Sequence, residues 1–267
     1  MRYLAFGDVH GNIDALDTVL DAAKTLEVEG YLFVGDLVGY GPNPMECIER
    51  LMELKRAGKL AWVAGNHELA IRGEIDSEGY NAEATKTLNW TAALVAENAA
   101  AKEFIATAPL TQLVDDLIWL THDSLADPSN GHYHRQPQNA KSELACLRHE
   151  AGKVCFYGHT HTMRGELLKE GAILLAMMEP CEKMEKDPKP LRLPTGQLGW
   201  IGTGSVGLPT NPKRFTEFLV LDDSKGGEWL IEKYALPYPR DKAKERARTV
   251  LAEPCGQAVA DRVARWL

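Results

Sequence analysis

Near the amino terminus, Phe6-Gly7-Asp8-Val9-His10-Gly11-Asn12 places a carboxylate and an imidazole two positions apart, directly after the short apolar run 2–6. Gly7 lets the chain break sharply there, and side chains two apart on extended backbone project the same way. A carboxylate and an imidazole leaving the end of a first strand look like half of a metal site at the crevice of a sheet. The plainer reading is a strand-to-helix turn whose Asp caps the helix. Four more junctions of the same kind follow. The apolar run 31–34 leads into Gly35-Asp36, 60–64 into Gly65-Asn66-His67-Glu68, 117–121 into His122, and 154–157 into Gly158-His159-Thr160-His161. Chance accounts for one such junction, but five apolar runs that each end in metal-type ligands point to one shared site. Carboxylate, amide oxygen and imidazole without thiolate suit manganese first, or iron, zinc, cobalt or nickel, and do not resemble structural zinc.

The order GDVHGN, GDLVGYGP, GNHE, a lone TH and GHTH resembles the calcineurin-like metallophosphoesterases, over residues 1 to about 222. That resemblance implies two divalent metal ions. Asp8, His10 and His161 would hold the first, Asn66, His122 and His159 the second, and Asp36 would be shared. Two such ions about 3.5–4 Å apart polarise a phosphoryl group and generate a hydroxide near neutral pH. The resemblance also makes His67 a general acid, which with Asp36 forms the candidate catalytic pair; the alternative is that His67 only orients a ligand. Asn12, Tyr40 and His67 are the candidate substrate contacts.

Related Ser/Thr protein phosphatases and diadenosine tetraphosphatases carry one arginine after the second Asp motif and another just before the Asn-His pair. Here those positions read Gly39-Tyr40-Gly41 and Ala64. The bidentate guanidinium grip on a phosphomonoester is therefore missing, with Arg135, Arg164 and Arg214 as possible substitutes. The expectation is a phosphodiesterase or broad-specificity phosphatase acting on small phosphate esters. The alternatives are a protein phosphatase-like or dinucleoside polyphosphate hydrolase, or a non-catalytic scaffold of the same fold. The presence of every ligand of the set argues against the scaffold.

The elements that must position these residues read as α/β. Ile13, Leu16, Val19, Leu20, Ala23 and Leu26 recur at helical steps, as do Ile48, Leu51, Met52 and Leu54, so strand and helix alternate through a βαβαβ unit with a parallel sheet. Residues 81–108 predict one long helix or two abutting ones, with Trp90 as a packed aromatic. From Met163 onward the pattern is strand and turn, and predicts an antiparallel second sheet. Packed on the first, it completes a metallophosphoesterase-type four-layer α/β/β/α sandwich, which the resemblance also implies. The segment 202–207 lacks the lysine and following helix of a nucleotide P-loop and reads as a tight turn. His132 and His134 read as a solvated loop pair, and His149 as a surface residue.

With 267 residues the chain is read as a single domain, 1–267, with an exposed excursion over 179–194 and an amphipathic helical tail over 240–267. That tail packs on the body or on a second copy, which leaves a homo-oligomer open. Hydrophobic content of 45% and charged content of 25% are ordinary for a soluble globular protein and name no function. A net charge of -8 disfavours nucleic acid as a partner. Five scattered cysteines without a C-x-x-C pair read as reduced thiols. No signal-type run and no long apolar stretch occurs, so the expected setting is cytoplasmic, with no membrane partner.

Overall fold

The computed structural model describes residues 1–75, 80–128, 137–149, 152–169, 172–176, 180–184, 188–194, 196–222 and 228–267. His132, His134 and Arg135 lie outside them.

Strands β1 (Arg2–Phe6), β2 (Gly30–Phe33) and β3 (Leu60–Trp62) run parallel side by side, joined by helices α1 (Ile13–Thr25) and α2 (Pro44–Arg56). α1 begins where the Asn12 side chain accepts the Ala15 N–H at 3.2 Å and ends with Lys24 in its last turn, both favourable to the helix dipole. On its other side β1 pairs antiparallel with β11 (Thr216–Asp222), followed by β12 (Glu228–Leu236) and β9 (Leu191–Pro194), to give the order β3-β2-β1-β11-β12-β9.

The second sheet has the order β4 (Thr111–Val114), β5 (Ile118–Thr121), β6 (Val154–Tyr157), β10 (Leu198–Gly202), β7 (Gly165–Lys169), β8 (Ala172–Ala176). The segments after Met163 therefore do not make a sheet of their own, which corrects the expectation from sequence. β7, β8 and β10 join β5 and β6, whereas β9, β11 and β12 extend the first sheet. The reason lies in β11, which is apolar on both faces: Phe218 and Val220 pack toward the helices, Leu219 and Leu221 toward the other sheet. Alternation along a strand says which faces are buried, not which sheet receives them.

Three apolar clusters correspond to the three interfaces of an α/β/β/α sandwich. Ala5, Leu32, Val34, Phe156, Ile201 and Leu219 fill the space between the sheets. Leu16 and Val19 of α1 pack with Phe6, Phe33 and Val220 on one outer face. On the other, Leu144 and Leu147 of α6 (Pro137–His149) meet Cys155, Tyr157 and Trp200, whose rings at 157 and 200 stack at 4.7 Å.

The expected helical stretch after residue 81 is two abutting helices, α4 (Ala82–Ala96) and α5 (Ala99–Ala106), divided where Asn98 caps α5 by accepting the Ala101 N–H. Trp90 packs on the core beside them. Within 179–194, read from sequence as an irregular excursion, Leu191–Pro194 is paired strand and Cys181 bridges to Tyr234. The tail forms α7 (Arg240–Val250), α8 (Ala252–Cys255) and α9 (Gln257–Trp266), broken at Gly256 with φ +90, and it packs on the body through Leu251, Val259 and Val263. Among the described residues no helix is long and apolar enough to cross a membrane.

Phe156→Ala, which empties the centre of the inter-sheet layer, is expected to lower the unfolding free energy by about 3–5 kcal/mol. Leu174→Thr, on a β8 residue 46% exposed, should change it by no more than about 0.5 kcal/mol. Urea titration followed by circular dichroism measures both, and equal effects would contradict the two-sheet core.

Candidate metal centre

The parallel strands of both sheets direct their carboxyl ends into one crevice. β1 delivers Asp8 and His10, β2 delivers Asp36, and β3 leads into α3 (Asn66–Arg72) with Asn66 and His67 at its start. β5 delivers His122 and β6 delivers His159 and His161. Asp8, His10, Asp36, His159 and His161 all have left-handed backbone, with φ between 49 and 61. Non-glycine residues rarely adopt this conformation, and it persists only where neighbours enforce it. Close packing explains the motif glycines: a Cβ on Gly158 would lie 2.7 Å from Asp8 Oδ2.

The side chains meet in three groups whose ligand atoms lie within 4.8 Å of one another: Asp8, His10 and His161; His10, Asp36 and His67; and Asp36, His122 and His159. Asp36 Oδ2 is 3.3 Å from His122 Nε2, 3.8 Å from His10 Nε2 and 3.9 Å from His67 Nε2. Asn66 Oδ1 completes the third group, 3.0 Å from His122 Nε2 and 2.9 Å from His159 Nδ1. Backbone carbonyls set the rings. Val38 O accepts from Nδ1 of His10 (3.4 Å) and of His67 (2.9 Å), Val34 O from His122 (2.7 Å), and Leu208 O from His161 (3.0 Å). Nδ1 of each of these four rings is thereby engaged, and Nε2 is the ring nitrogen turned into the crevice.

All seven candidate ligands and His67 are thus brought together. Tyr40 lies beside them, its ring 5.2 Å from those of both His10 and His67. Asn12 is a correction. It is 1% exposed, its Oδ1 caps α1 and its Nδ2 donates to Gly207 O at 3.0 Å, so neither end of the amide is available to a substrate. Arg164 pairs with Glu166, and the Arg214 guanidinium donates to Pro209 O at 2.7 Å, so these two guanidiniums are engaged elsewhere.

Three residues act on the site without a sequence signal that assigns them. Glu68, fully buried, accepts the N–H groups of Gly65, Asp36 and Leu37 at 2.8–2.9 Å and so ties the β2 loop to α3. Ser205 Oγ donates to Asp8 O and accepts the Leu208 N–H, both at 2.9 Å. The segment read as a simple turn is therefore the backbone cradle beneath Asp8 and His161. Tyr80 hydrogen-bonds Asn66.

Charge is balanced within the crevice. Burial pushes the Asp36 carboxyl up, but His122 and His67 beside it hold it well below the usual carboxylate range. Burial pulls His122 down, yet Asp36 carries it up to about 10. His161, likewise lowered by burial, is raised by Asp8, whereas burial holds His10 well below its ordinary value and His159 down at about 3. The two aspartates thus raise the proton affinity of the imidazoles that face them, His122 and His161, and a cation bound there would compete with that proton.

A sequence model of the calcineurin-like phosphoesterases matches residues 1–163. The chain belongs to that family. An uncharacterised protein of Methanocaldococcus jannaschii is 26% identical over 251 residues, spanning 90% of this chain and 88% of that protein. A metallophosphoesterase structure from Sphaerobacter thermophilus superposes with a TM-score of 0.71 at 23% identity, covering 100% of this chain and 99% of that one. A hypothetical protein of Pyrococcus horikoshii gives 0.69 at 17%, covering 97% of each. These structural likenesses establish the fold, and they extend it past residue 163 to the last strands and the helical tail. The phosphoesterase is a phosphoric ester hydrolase of a family that depends on paired divalent metal ions. Its residues suit such ions. His10 Nε2 and His161 Nε2 face each other at 3.0 Å with both Nδ1 atoms committed, and Asp8 Oδ2 is buried without a hydrogen-bond partner.

Glu217, under the cradle, is 4% exposed, and burial raises its carboxyl from 4.5 to about 7 against the pull of Lys233. The folded chain holds this proton more tightly than the unfolded chain. Its stabilising contribution is complete below 4.5 and lost as the pH rises through about 7. Glu217→Gln should remove that slope, so the variant gains thermal stability relative to wild type between pH 5 and pH 8. A difference in Tm that stays constant with pH would contradict this.

Proposed function

We propose that the chain is a dinuclear-metal-dependent hydrolase of small phosphate esters, with diesters favoured over monoesters. The observation that carries the reading is the convergence of Asp8, His10, Asp36, Asn66, His122, His159 and His161 from the ends of five strands. Asp8, His10 and His161 would hold one divalent ion, Asn66, His122 and His159 the other, with Asp36 common to both. When bound, the ions supply Lewis-acid activation of the phosphoryl group and of water. The thiolate-free donor set favours manganese. The five cysteines, all free thiols, favour a cytoplasmic setting.

His67 is the group that serves the leaving alkoxide. Its Nδ1 is fixed on Val38 O and its Nε2 faces the crevice. Burial lowers its proton affinity in the substrate-free protein. A phosphate anion beside Nε2 opposes that effect and favours the imidazolium, which then gives its Nε2 proton to the departing oxygen. Tyr40, set against His67, forms the wall on which the leaving group rests. The preference for diesters is supported, among the described residues, by the guanidiniums of Arg72, Arg164 and Arg214, each of which is engaged with a protein acceptor. A dianionic monoester would need such a fork more than a singly charged diester does.

The test is turnover by manganese-reconstituted protein on bis(p-nitrophenyl) phosphate, p-nitrophenyl phosphate, cyclic nucleotides, dinucleoside polyphosphates and a phosphopeptide. Diester hydrolysis should dominate; preference for the phosphopeptide would overturn the diester assignment, and no turnover with any metal would restore the scaffold reading. His67→Ala should keep both ions and lose roughly 10²- to 10⁴-fold on alkyl esters, but much less on nitrophenyl esters, which leave unaided. Equal losses on both, or loss of metal, would instead make His67 a ligand or a ligand-orienting residue.

A further inference from the structure

Tyr80 stands beside the centre, half-buried, with its hydroxyl oxygen 2.6 Å from Asn66 Nδ2 and 3.0 Å from the Asn66 backbone carbonyl oxygen. Its ring meets the His67 imidazole edge-on, with centroids 5.4 Å apart. A phenol has one proton to give, and a backbone carbonyl only accepts. The Tyr80 proton is therefore committed to the Asn66 C=O. The side-chain atom of Asn66 that faces the phenolic oxygen must then be the donor, which is the NH₂ group. The amide oxygen is turned the other way, between His122 Nε2 at 3.0 Å and His159 Nδ1 at 2.9 Å.

That orientation matters because hard divalent cations take an amide through its oxygen. The two ends of a primary amide have nearly the same shape, so packing alone cannot choose between them. Flipped, the NH₂ group would hydrogen-bond the inward imidazole nitrogens and occupy the lone pairs that an ion needs. We infer that Tyr80 is a positioning residue: its hydroxyl, anchored on the main chain of Asn66, selects the amide rotamer that presents oxygen to the centre. The inference rests on the proposed assignment of Asn66, His122 and His159 to one ion. It predicts an effect confined to that ion, since Tyr80 has no hydrogen bond to Asp8, His10 or His161.

Tyr80→Phe keeps the ring against His67 and removes only the hydroxyl. Metal-free protein titrated with Mn²⁺, by calorimetry and by elemental counting, should bind two ions in the wild type. In Tyr80→Phe one ion should bind as before and the other roughly 10- to 100-fold more weakly, with the unfolding midpoint of the metal-free protein unchanged. In an Asn66→Ala background, which has no amide to orient, adding Tyr80→Phe should change Mn²⁺ binding no further. Unaltered binding of both ions in Tyr80→Phe would overturn the inference alone. Equal weakening of both ions with a lowered metal-free midpoint, or a further loss in the Asn66→Ala background, would show a packing role instead. Fewer than two ions in the wild type would sink the ligand assignment, and the inference with it.

Discussion

Asp36 is a carboxylate kept ionised at 2% exposure, and the crevice is organised around that charge. A buried charge left without partners costs several kcal/mol, so groups that offset it have to arrive from elsewhere in the fold. His67 gives its backbone N–H to Asp36 Oδ1 at 3.0 Å, while the imidazoles of His10, His67 and His122 surround Oδ2. Two of these rings come from the first sheet and one from the second. The charge balance of Asp36 therefore requires both sheets to end at the same place, and this links the sandwich architecture to the chemistry. Glu68, the next buried carboxylate, takes no imidazole. Burial and the Asp36 charge raise it to about 7, and it is satisfied by the backbone N–H groups of the loop that carries Asp36.

Backbone strain is the second consequence. A single left-handed non-glycine residue costs of order 1–3 kcal/mol, and five of the candidate ligands are in that state. The compensation is a mesh of hydrogen bonds between loops rather than within them. Asp8 N–H donates to Gly35 O at 2.9 Å, His10 N–H to Asp36 O at 3.0 Å, and His159 N–H to Asp8 Oδ1 at 3.0 Å. Each strained loop is thus held by the one that bears the next ligand. Ser205 and Gly207 grip the Asp8 carbonyl from below. The ligand atoms are consequently preorganised by main chain, with little left to rotamer freedom.

The sequence makes the ligands legible because they follow one grammar, an apolar strand and then a donor, with a glycine between the two at every junction but that of His122. Strand boundaries, the helix pair after residue 81 and the four-layer class could be read for the same reason, since periodicity reports burial directly. Partition of the strands was illegible. β11 and β10 both read as apolar runs, and only the shape of the packed faces sends one to β1 and the other to β6. Asn12 misleads because its motif position next to His10 is equally suited to capping α1, and the cap takes its oxygen. Glu68, Ser205 and Tyr80 could not be assigned because they act on main-chain atoms, whose positions depend on the assembled loops. Glu68 was visible as part of the Asn-His-Glu run but offered nothing that distinguished a brace from a ligand.

The helical tail extends the same logic to the outer face. Asp14, two residues past the Asn12 cap, is ion-paired with Lys242 and Arg246 of α7 at 3.0 and 3.1 Å, and Glu83 in the first turn of α4 with Arg262 of α9 at 2.8 Å. Pairs that bury a carboxylate this close to a helix start contribute more than exposed ones, because solvent screens them less. α9 also sets Trp266 edge-on to Tyr40, with ring centroids 5.6 Å apart, and Tyr40 in turn leans on His10 and His67. Tyr40 itself has left-handed backbone with φ 60, its N–H held by Thr87 Oγ1 at 2.9 Å. The tail is therefore coupled to the imidazoles through the Trp266–Tyr40 contact, and it braces the starts of α1 and α4. Residues that share no motif with the ligands thereby help to set how much room is left beside His67.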